Sequence, residues 1–495
     1  MYQRDSTISR VLLLALLASL AGLPGCTVGP DYRGAPEVAG GAGHANSFVR
    51  APAAGITSGY TPSQWWNTLG DAQLSALIDK ALAHNQNLQA AQARLRESRA
   101  QLQQQRAEAL PTVSADAAAL RTRSPDLSGL TNTSQATPAG QSSHTSQGRG
   151  PLQLYTAGFD ASWEADLFGG TRRAIEAASA QADAVDADLA DTQVSLAAEV
   201  AQAYISLRDQ QQRLTLANQS AELEQQTLVL IQQRRARGVA GDADVERQTT
   251  QVENTRATLI PLDEQITESL DQLAVLTGQA PGALDHELSA PAPLPVLPAI
   301  VPIDDPASML QQRPDIRAAE RRLAASNAQI GERTADLFPK VTMLGFVGSN
   351  AADPGHLARK NSFTWLGVPF LQWDVFDFGR TRSGIRQAEA SRDEADAHYA
   401  QTVLAALQDA NNALSRYGHQ RESVARLQLI EASADRSATL MRQRYGAGAS
   451  SLIDLLDTQR TQFSAQQSLV EGRADLLKDF VSLQKSLGLG WVQAR

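Results

Sequence analysis

The sequence predicts a mainly α-helical fold with a smaller β component, one structural unit written twice along the chain. Three observations carry this. Blocks of residues recur at fixed offsets, and two helical patterns of about 68 residues occupy matching places in the two halves. Short segments of period-2 alternation precede each long helix.

Composition narrows the class. The 495 residues carry 44 Lys+Arg against 53 Asp+Glu, a net charge of −9, and no basic block that would neutralise a phosphate backbone, so nucleic acid is not an expected partner. One cysteine excludes an intrachain disulfide framework and a Cys-rich zinc site. After residue 26 no uncharged apolar run reaches 18 residues, so no transmembrane helix is expected.

The N-terminus reads as a processing signal. Arg4 and Arg10 precede an apolar run from Val11 to Leu23, which ends in Leu23-Pro24-Gly25-Cys26. A small residue before the sole cysteine is what lipoprotein processing requires, so residues 1–25 are expected to leave and Cys26 to carry the lipid. Thr27 in place of the aspartate that retains lipoproteins at the inner membrane favours the outer membrane. More than one acyl chain makes such an anchor stable.

The repeat follows. Trp163, Phe168, Gly169, Thr171 and Arg172 match Trp373, Phe378, Gly379, Thr381 and Arg382, and 13 of the 30 positions from 163 to 192 are identical at an offset of 210. The same offset pairs Gly238 with Gly448, Asp244 with Asp454, and Gly278 with Gly488. Upstream the offset is 228, pairing Arg94 with Arg322 and Pro111 with Pro339. The difference falls in the Ser/Thr/Gly-rich stretch 121–152, expected to be a long loop.

The expected domains are a lipid-anchored segment (26–70), repeat 1 (71–278), a Pro-rich crossover (279–305), repeat 2 (306–488) and a short tail (489–495). Within each repeat a helix (about 71–109, about 306–338) ends at Pro111 or Pro339, and two strands follow. A very long helix then runs to a Gly-containing turn, and a return helix with heptad spacing completes the unit. Asp305, Asp242 and Ser451 with Asp454 are candidate N-caps. At 1.5 Å per residue the long helix spans roughly 100 Å, and the two shorter helices laid end to end would cover it.

In the strands, Tyr155, Phe159 and Trp163 fall on one parity, as do Phe363, Trp365 and Trp373 in the second repeat. Strands of about ten residues with Trp and Tyr near their ends suit a membrane barrel with these side chains facing lipid. Four strands cannot close a barrel and an open edge in lipid is not viable, so the chain is expected to oligomerise.

These residues resemble the TolC-like outer membrane factors, specifically the OprM/NodT lipoprotein branch. Gly25-Cys26-Thr-Val-Gly-Pro-Asp-Tyr32, Trp65-Trp66, Gln312-Arg313-Pro314-Asp315-Ile316-Arg317 and Arg444-Tyr445 with Gly448 and Asp454-Leu-Leu-Asp457 carry the resemblance. It implies a homotrimer with a 12-strand β-barrel, continuous with a 12-helix periplasmic α-barrel and surrounded by a mixed equatorial region. It further implies an exit duct fed by an inner-membrane pump of the RND type through a periplasmic adaptor, with no cofactor beyond the lipid on Cys26. The resemblance places the periplasmic gate at Asp454 and Asp457, with Tyr445, and the duplication adds Asp244 and Arg247 at their matching positions. Ser450 stands where the family has a further gate arginine. Gly238, Val239, Gly446 and Gly448 fall at the hairpin tips that would meet the adaptor.

No metal-ligand spacing, nucleophile motif or phosphate loop occurs, so no enzyme is expected. A duct for secreted polypeptides has the same fold and stays open as an alternative. A lipid-anchored coiled-coil spacer explains the helices but not the strands.

Overall fold

The structure, a computed structural model, describes residues 27–38, 40, 47–52, 54–59, 62–122 and 152–491. Cys26 and the expected loop beyond Thr122 lie outside the described residues. The chain divides into two compact units that cut across the repeats.

The first unit takes the chain up to Arg33, Arg99–Ala180 and Ala324–Asp393. Its centre is an antiparallel sheet of β2 (Thr112–Thr122), β3 (Leu152–Ala165), β5 (Lys340–Ala351) and β6 (Phe363–Gln372), in the order β2-β3-β5-β6. The two hairpins share one register: Thr112 faces Ser162 in the first and Lys340 faces Gln372 in the second, the same pair carried forward by the two repeat offsets. β3 and β5 join the repeats, pairing from Tyr155–Ala351 to Ala165–Val341. β2 and β6 are left as edges, and every residue of both is exposed.

Two tryptophans tie the strand ends to the preceding helices. Trp163 Nε1 donates to the Ala109 carbonyl and Trp373 Nε1 to the Leu337 carbonyl, each at 3.0 Å, a bond made twice by the duplication. Phe168 stacks on Phe338 with ring centres 4.6 Å apart. Residues 27–31 form a strap bound in this unit. Val28 N–H donates to the Phe168 carbonyl at 3.1 Å. Arg173 donates to the Val28 carbonyl (3.2 Å), the Gly29 carbonyl (3.4 Å) and the carboxylates of Asp31 (2.6 Å) and Glu176 (2.8 Å). Gly29, at φ 87°, lies against the backbone of Gly331, where no side chain would fit.

The second unit holds Gly34–Ser98, Gln181–Leu323 and Glu394–Arg495. β1 (Ile56–Ser58) and β4 (Val301–Ile303) pair in parallel, joining the N-terminal segment to the crossover. The helices of repeat 1 are α1 (Ala72–His84), α2 (Gln86–Glu108), α3 (Gly170–Ala236), α4 (Asp242–Ala257) and α5 (Leu259–Leu276), followed by the short α6 (Asp285–Leu288). Repeat 2 supplies α7 (Pro306–Gln312), α8 (Pro314–Ala335), α9 (Arg380–Gly446) and α10 (Leu452–Ser486). Both long helices have 67 residues.

Three expectations are corrected. Each opening helix is broken in two, at Asn85 and at Arg313, both extended at ψ 129° and 121°. Pro314 disfavours helical backbone at Arg313, and the freed polar groups are used: Asn85 Nδ2 donates to the Leu276 carbonyl (2.9 Å) and Arg313 to the Ser486 carbonyl (2.7 Å), again matching positions. The return helix of repeat 1 breaks at Thr258; Pro261 lacks the N–H that would bond the Ala257 carbonyl. Asp242 is not a cap, because Gly241 takes that place and Asp244 accepts its N–H at 3.2 Å.

The core of this unit gathers Trp65, Trp66, Tyr204, Tyr417 and Phe480, each buried. Trp65 packs edge-on to Trp66 and to Phe480 at 5.7 and 5.9 Å. Arg208, 1% exposed, is held by the carbonyls of Leu288 (3.3 Å) and Ala290 (3.0 Å) and by Gln211 (2.6 Å). Tyr204 donates to Asp71 at 2.9 Å, and burial pushes its hydroxyl up to about 12.

Candidate functional site: hairpin tips and strand faces

The tips of the two helical hairpins fall within the second unit and have the same backbone. After α3, Gly238 adopts φ 74°; its N–H bonds the Arg235 carbonyl (2.8 Å) and Val239 N–H the Arg234 carbonyl (2.9 Å). After α9, Gly448 adopts φ 73°; its N–H bonds the Tyr445 carbonyl (3.1 Å) and Ala449 N–H the Arg444 carbonyl (2.8 Å). Both are left-handed helix caps that favour glycine. A Cβ on Gly238, Gly446 or Gly448 would meet nothing within 4 Å, and Val239 is 74% exposed. The glycines leave open space at both tips, with Arg235, Arg237 and Val239 exposed at the first and Arg444 exposed at the second.

Behind them sits a small core of Ile231, Tyr445, Leu452, Leu455 and Leu456. The Arg234 guanidinium lies 4.5 Å over the Tyr445 ring. Tyr445 is therefore packed between the two hairpins of its own chain. Further along, Gln251 donates to Glu224 (2.9 Å) and accepts from Arg460 (2.6 Å), while Gln248 donates to the Glu224 carbonyl (2.8 Å). This polar link between hairpins had no sequence signal, because glutamines at helical spacing read as solvated faces.

The acidic pair divides by role. Asp454 completes a capping box: its carboxylate accepts from the Ser451 N–H (3.2 Å) and hydroxyl (2.7 Å), and these bonds hold it below the usual carboxylate range. Asp457 is exposed one turn on, with no ion pair among the described residues. Arg247 is exposed and sits 3.9 Å from Asp244 on its own helix. One chain thus leaves Asp457 and Arg247 apart, each open to a second copy.

On the sheet, Phe159 (60%), Phe363 (59%), Trp365 (74%) and Trp373 (53%) are exposed and Tyr155 is half-buried. The register puts Tyr155, Phe159 and Trp163 on one face with Val347, Met343, Trp365 and Leu371. The opposite face is polar in repeat 1, where it carries Asp116, Thr156, Asp160 and Ser162, but Leu344, Phe346, Leu366, Val368 and Phe370 line it in repeat 2. No group of three His, Cys, Asp or Glu side chains suited to a metal occurs among the described residues.

Two hairpins in one sheet, amphipathic in repeat 1 and apolar on both faces in repeat 2, each followed by a helix of about 100 Å, define a protomer of the outer membrane channel class. The chain belongs to the Outer membrane efflux protein family, which it matches over residues 77–279 and 306–489, the two repeats. It is 32% identical to the antibiotic efflux pump outer membrane protein ArpC of Pseudomonas putida, over 97% of this chain and 96% of that one. It is 31% identical to the outer membrane protein OprJ of Pseudomonas aeruginosa, over 97% and 96%. The solved outer-membrane channel OprN matches with a TM-score of 0.80 at 34% identity, covering 94% of this chain and 100% of that one. The protein is an outer membrane channel of an efflux system.

Proposed function

We propose that three copies close into one passive duct, anchored by lipid on Cys26, which receives small molecules from an inner-membrane pump of the RND type through a periplasmic adaptor. The observation that carries this reading is the four-stranded sheet with two unpaired edges, β2 and β6, joined to two 67-residue helices. Edges cannot face lipid, and three sheets of four give a twelve-strand barrel. The strap supports the anchor, because Thr27, next to Cys26 in sequence, lies against Gly169 where β3 gives way to α3.

The open space at Gly238, Gly446 and Gly448 suits an adaptor that approaches the backbone. In a threefold assembly Asp457 and Arg247 occupy alternating positions by the 210-residue repeat, so opposite charges can pair between copies and hold the tunnel closed. The relative named for antibiotic efflux favours small cargo over secreted polypeptides. The test is dye and antibiotic accumulation in cells lacking the chain. Accumulation reversed by the intact chain supports the reading; unchanged accumulation with loss of a secreted polypeptide replaces it.

A further inference from the structure

We propose that β6 of one copy pairs with β2 of the next in a register fixed by the internal duplication, with Phe370 opposite Ala118 of the partner subunit. On the same seam Phe378 closes on Leu110 of the partner subunit. This rests on the reading that copies close into a ring, and it specifies the seam.

The duplication supplies a template inside the chain. The β3–β5 junction joins the second strand of repeat 1 to the first strand of repeat 2, and the seam between copies joins the second strand of repeat 2 to the first of repeat 1. Both hairpins have the same register under the offsets of 210 and 228, so the offsets are exact through the strands. Carried forward, Asp160–Phe346 becomes Phe370 with Ala118 of the partner subunit, and Ala161–Gly345 becomes Leu371 with Ala117 of the partner subunit. The seam runs from Leu366 with Thr122 of the partner subunit to Val375 with Val113 of the partner subunit.

Three independent features agree. This register keeps the faces: Leu371 and Trp373 stand beside Ala117 and Ala115 of the partner subunit, on the face that carries Phe159 and Trp163. A slip by one residue would set Trp373 against Asp116 of the partner subunit. Sizes also complement, since Phe370, Leu371 and Trp373 meet a run of alanines, Ala115 and Ala117–Ala119. Finally, matching positions beside the strands differ in exposure at the two sheet edges. Phe168 is stacked on Phe338, whereas Phe378, its counterpart, is 91% exposed, and Leu110, the counterpart of Phe338, is 64% exposed. Phe378, whose ring centre lies 4.6 Å from that of Phe376, is also the one non-glycine residue with positive φ (56°) among the described residues, a backbone that L side chains rarely adopt. β6 stops at Gln372 while β3 continues to Ala165 with β5 beside it, so β6 is expected to lengthen to Val375 once paired.

The test is cross-linking in outer membranes. Residues directly opposite in an antiparallel ladder have Cα atoms about 4.5–5.5 Å apart, within disulfide reach. Ala118→Cys with Phe370→Cys is oxidised and run on a denaturing gel without reductant. Ala118→Cys with Leu366→Cys, displaced by roughly 13 Å along the strand, is the slipped control, and Ala119→Cys with Pro369→Cys reads the other face. The expected result is loss of monomer to covalently linked trimer in the first and third pairs and not in the control. Cross-linking of the control alone, or of no pair while reduced samples migrate as trimers before heating, overturns the seam and leaves the trimer standing. An unmodified chain that migrates as a monomer before heating overturns both.

Discussion

Gly331→Ala is expected to release the N-terminal strap. A Cβ at this position would lie 2.8 Å from Cγ and 2.9 Å from Cδ and Nε of Arg173, inside van der Waals contact, so the arginine must move. Its side chain is 5% exposed and makes four hydrogen bonds, so it has little room to do so. The Asp31 partner is 80% exposed and adds little. What is lost is the pair of charged-donor bonds to the Val28 and Gly29 carbonyls, which water partly replaces, so about 2–3 kcal/mol is the expected cost. Hydrogen exchange reads it directly. The Val28 amide, bonded to the Phe168 carbonyl, should exchange roughly 30- to 150-fold faster, since each 1.4 kcal/mol is tenfold. Arg173→Ala should give a similar increase, and the double variant little more than either, because both act through one contact. Unchanged exchange at Val28, Gly29 and Asp31 in Gly331→Ala, or full additivity in the double variant, would show that Arg173 does not hold the strap through Gly331.

At the tips, Gly446→Leu adds a side chain in open space on helical backbone, so trimers should form normally while drug efflux falls if an adaptor must reach the backbone. Gly448→Leu should in addition lose about 1 kcal/mol of stability from its left-handed backbone, seen as a lower heat-dissociation temperature. Asp457→Ala should raise resting conductance and weaken divalent block in planar bilayers. Asp454→Ala should mainly loosen the tip that its capping box closes, so the two single variants separate the roles of the two carboxylates. Asp377 is held at about 2 by the Thr381 hydroxyl and by the N–H groups of Thr381 and Gly379. Its folded value is below the unfolded value of about 3.9, so its contribution is complete above pH 4 and is lost as pH falls toward 2. Acid dissociation of trimers should therefore shift less steeply with pH over that window in Asp377→Asn.

Much of this architecture is legible in the sequence because the duplication constrains it twice. The offset that aligns Trp163 with Trp373 also returns the hairpin register and the paired tryptophan-to-carbonyl bonds. The long helices were readable from their capping glycines, and they close within a residue of the expected ends. Pro261 marks the break at Thr258, whereas the one at Asn85 is harder to see. Pro314 marks one of the matching breaks, but Asn85 has no proline after it and its signal is only a side chain that bonds elsewhere. The burial of Tyr445 depends on Arg234 and Ile231 from the other hairpin, a long-range contact that no local pattern encodes. The strap needs two glycines and an arginine far apart in sequence, Gly29, Gly331 and Arg173, and nothing in any one of them announces the others.

This chain forms a closed, multi-copy duct rather than an open sheet on a helical stalk. Planar-bilayer recording of the purified, unheated protein tests it most directly. Discrete conductance steps are expected from a species that migrates as a trimer, abolished together when heating dissociates it. A trimer that inserts without discrete conductance even after Asp457→Ala with Asp454→Ala, or steps that persist in the heat-dissociated monomer, would contradict it.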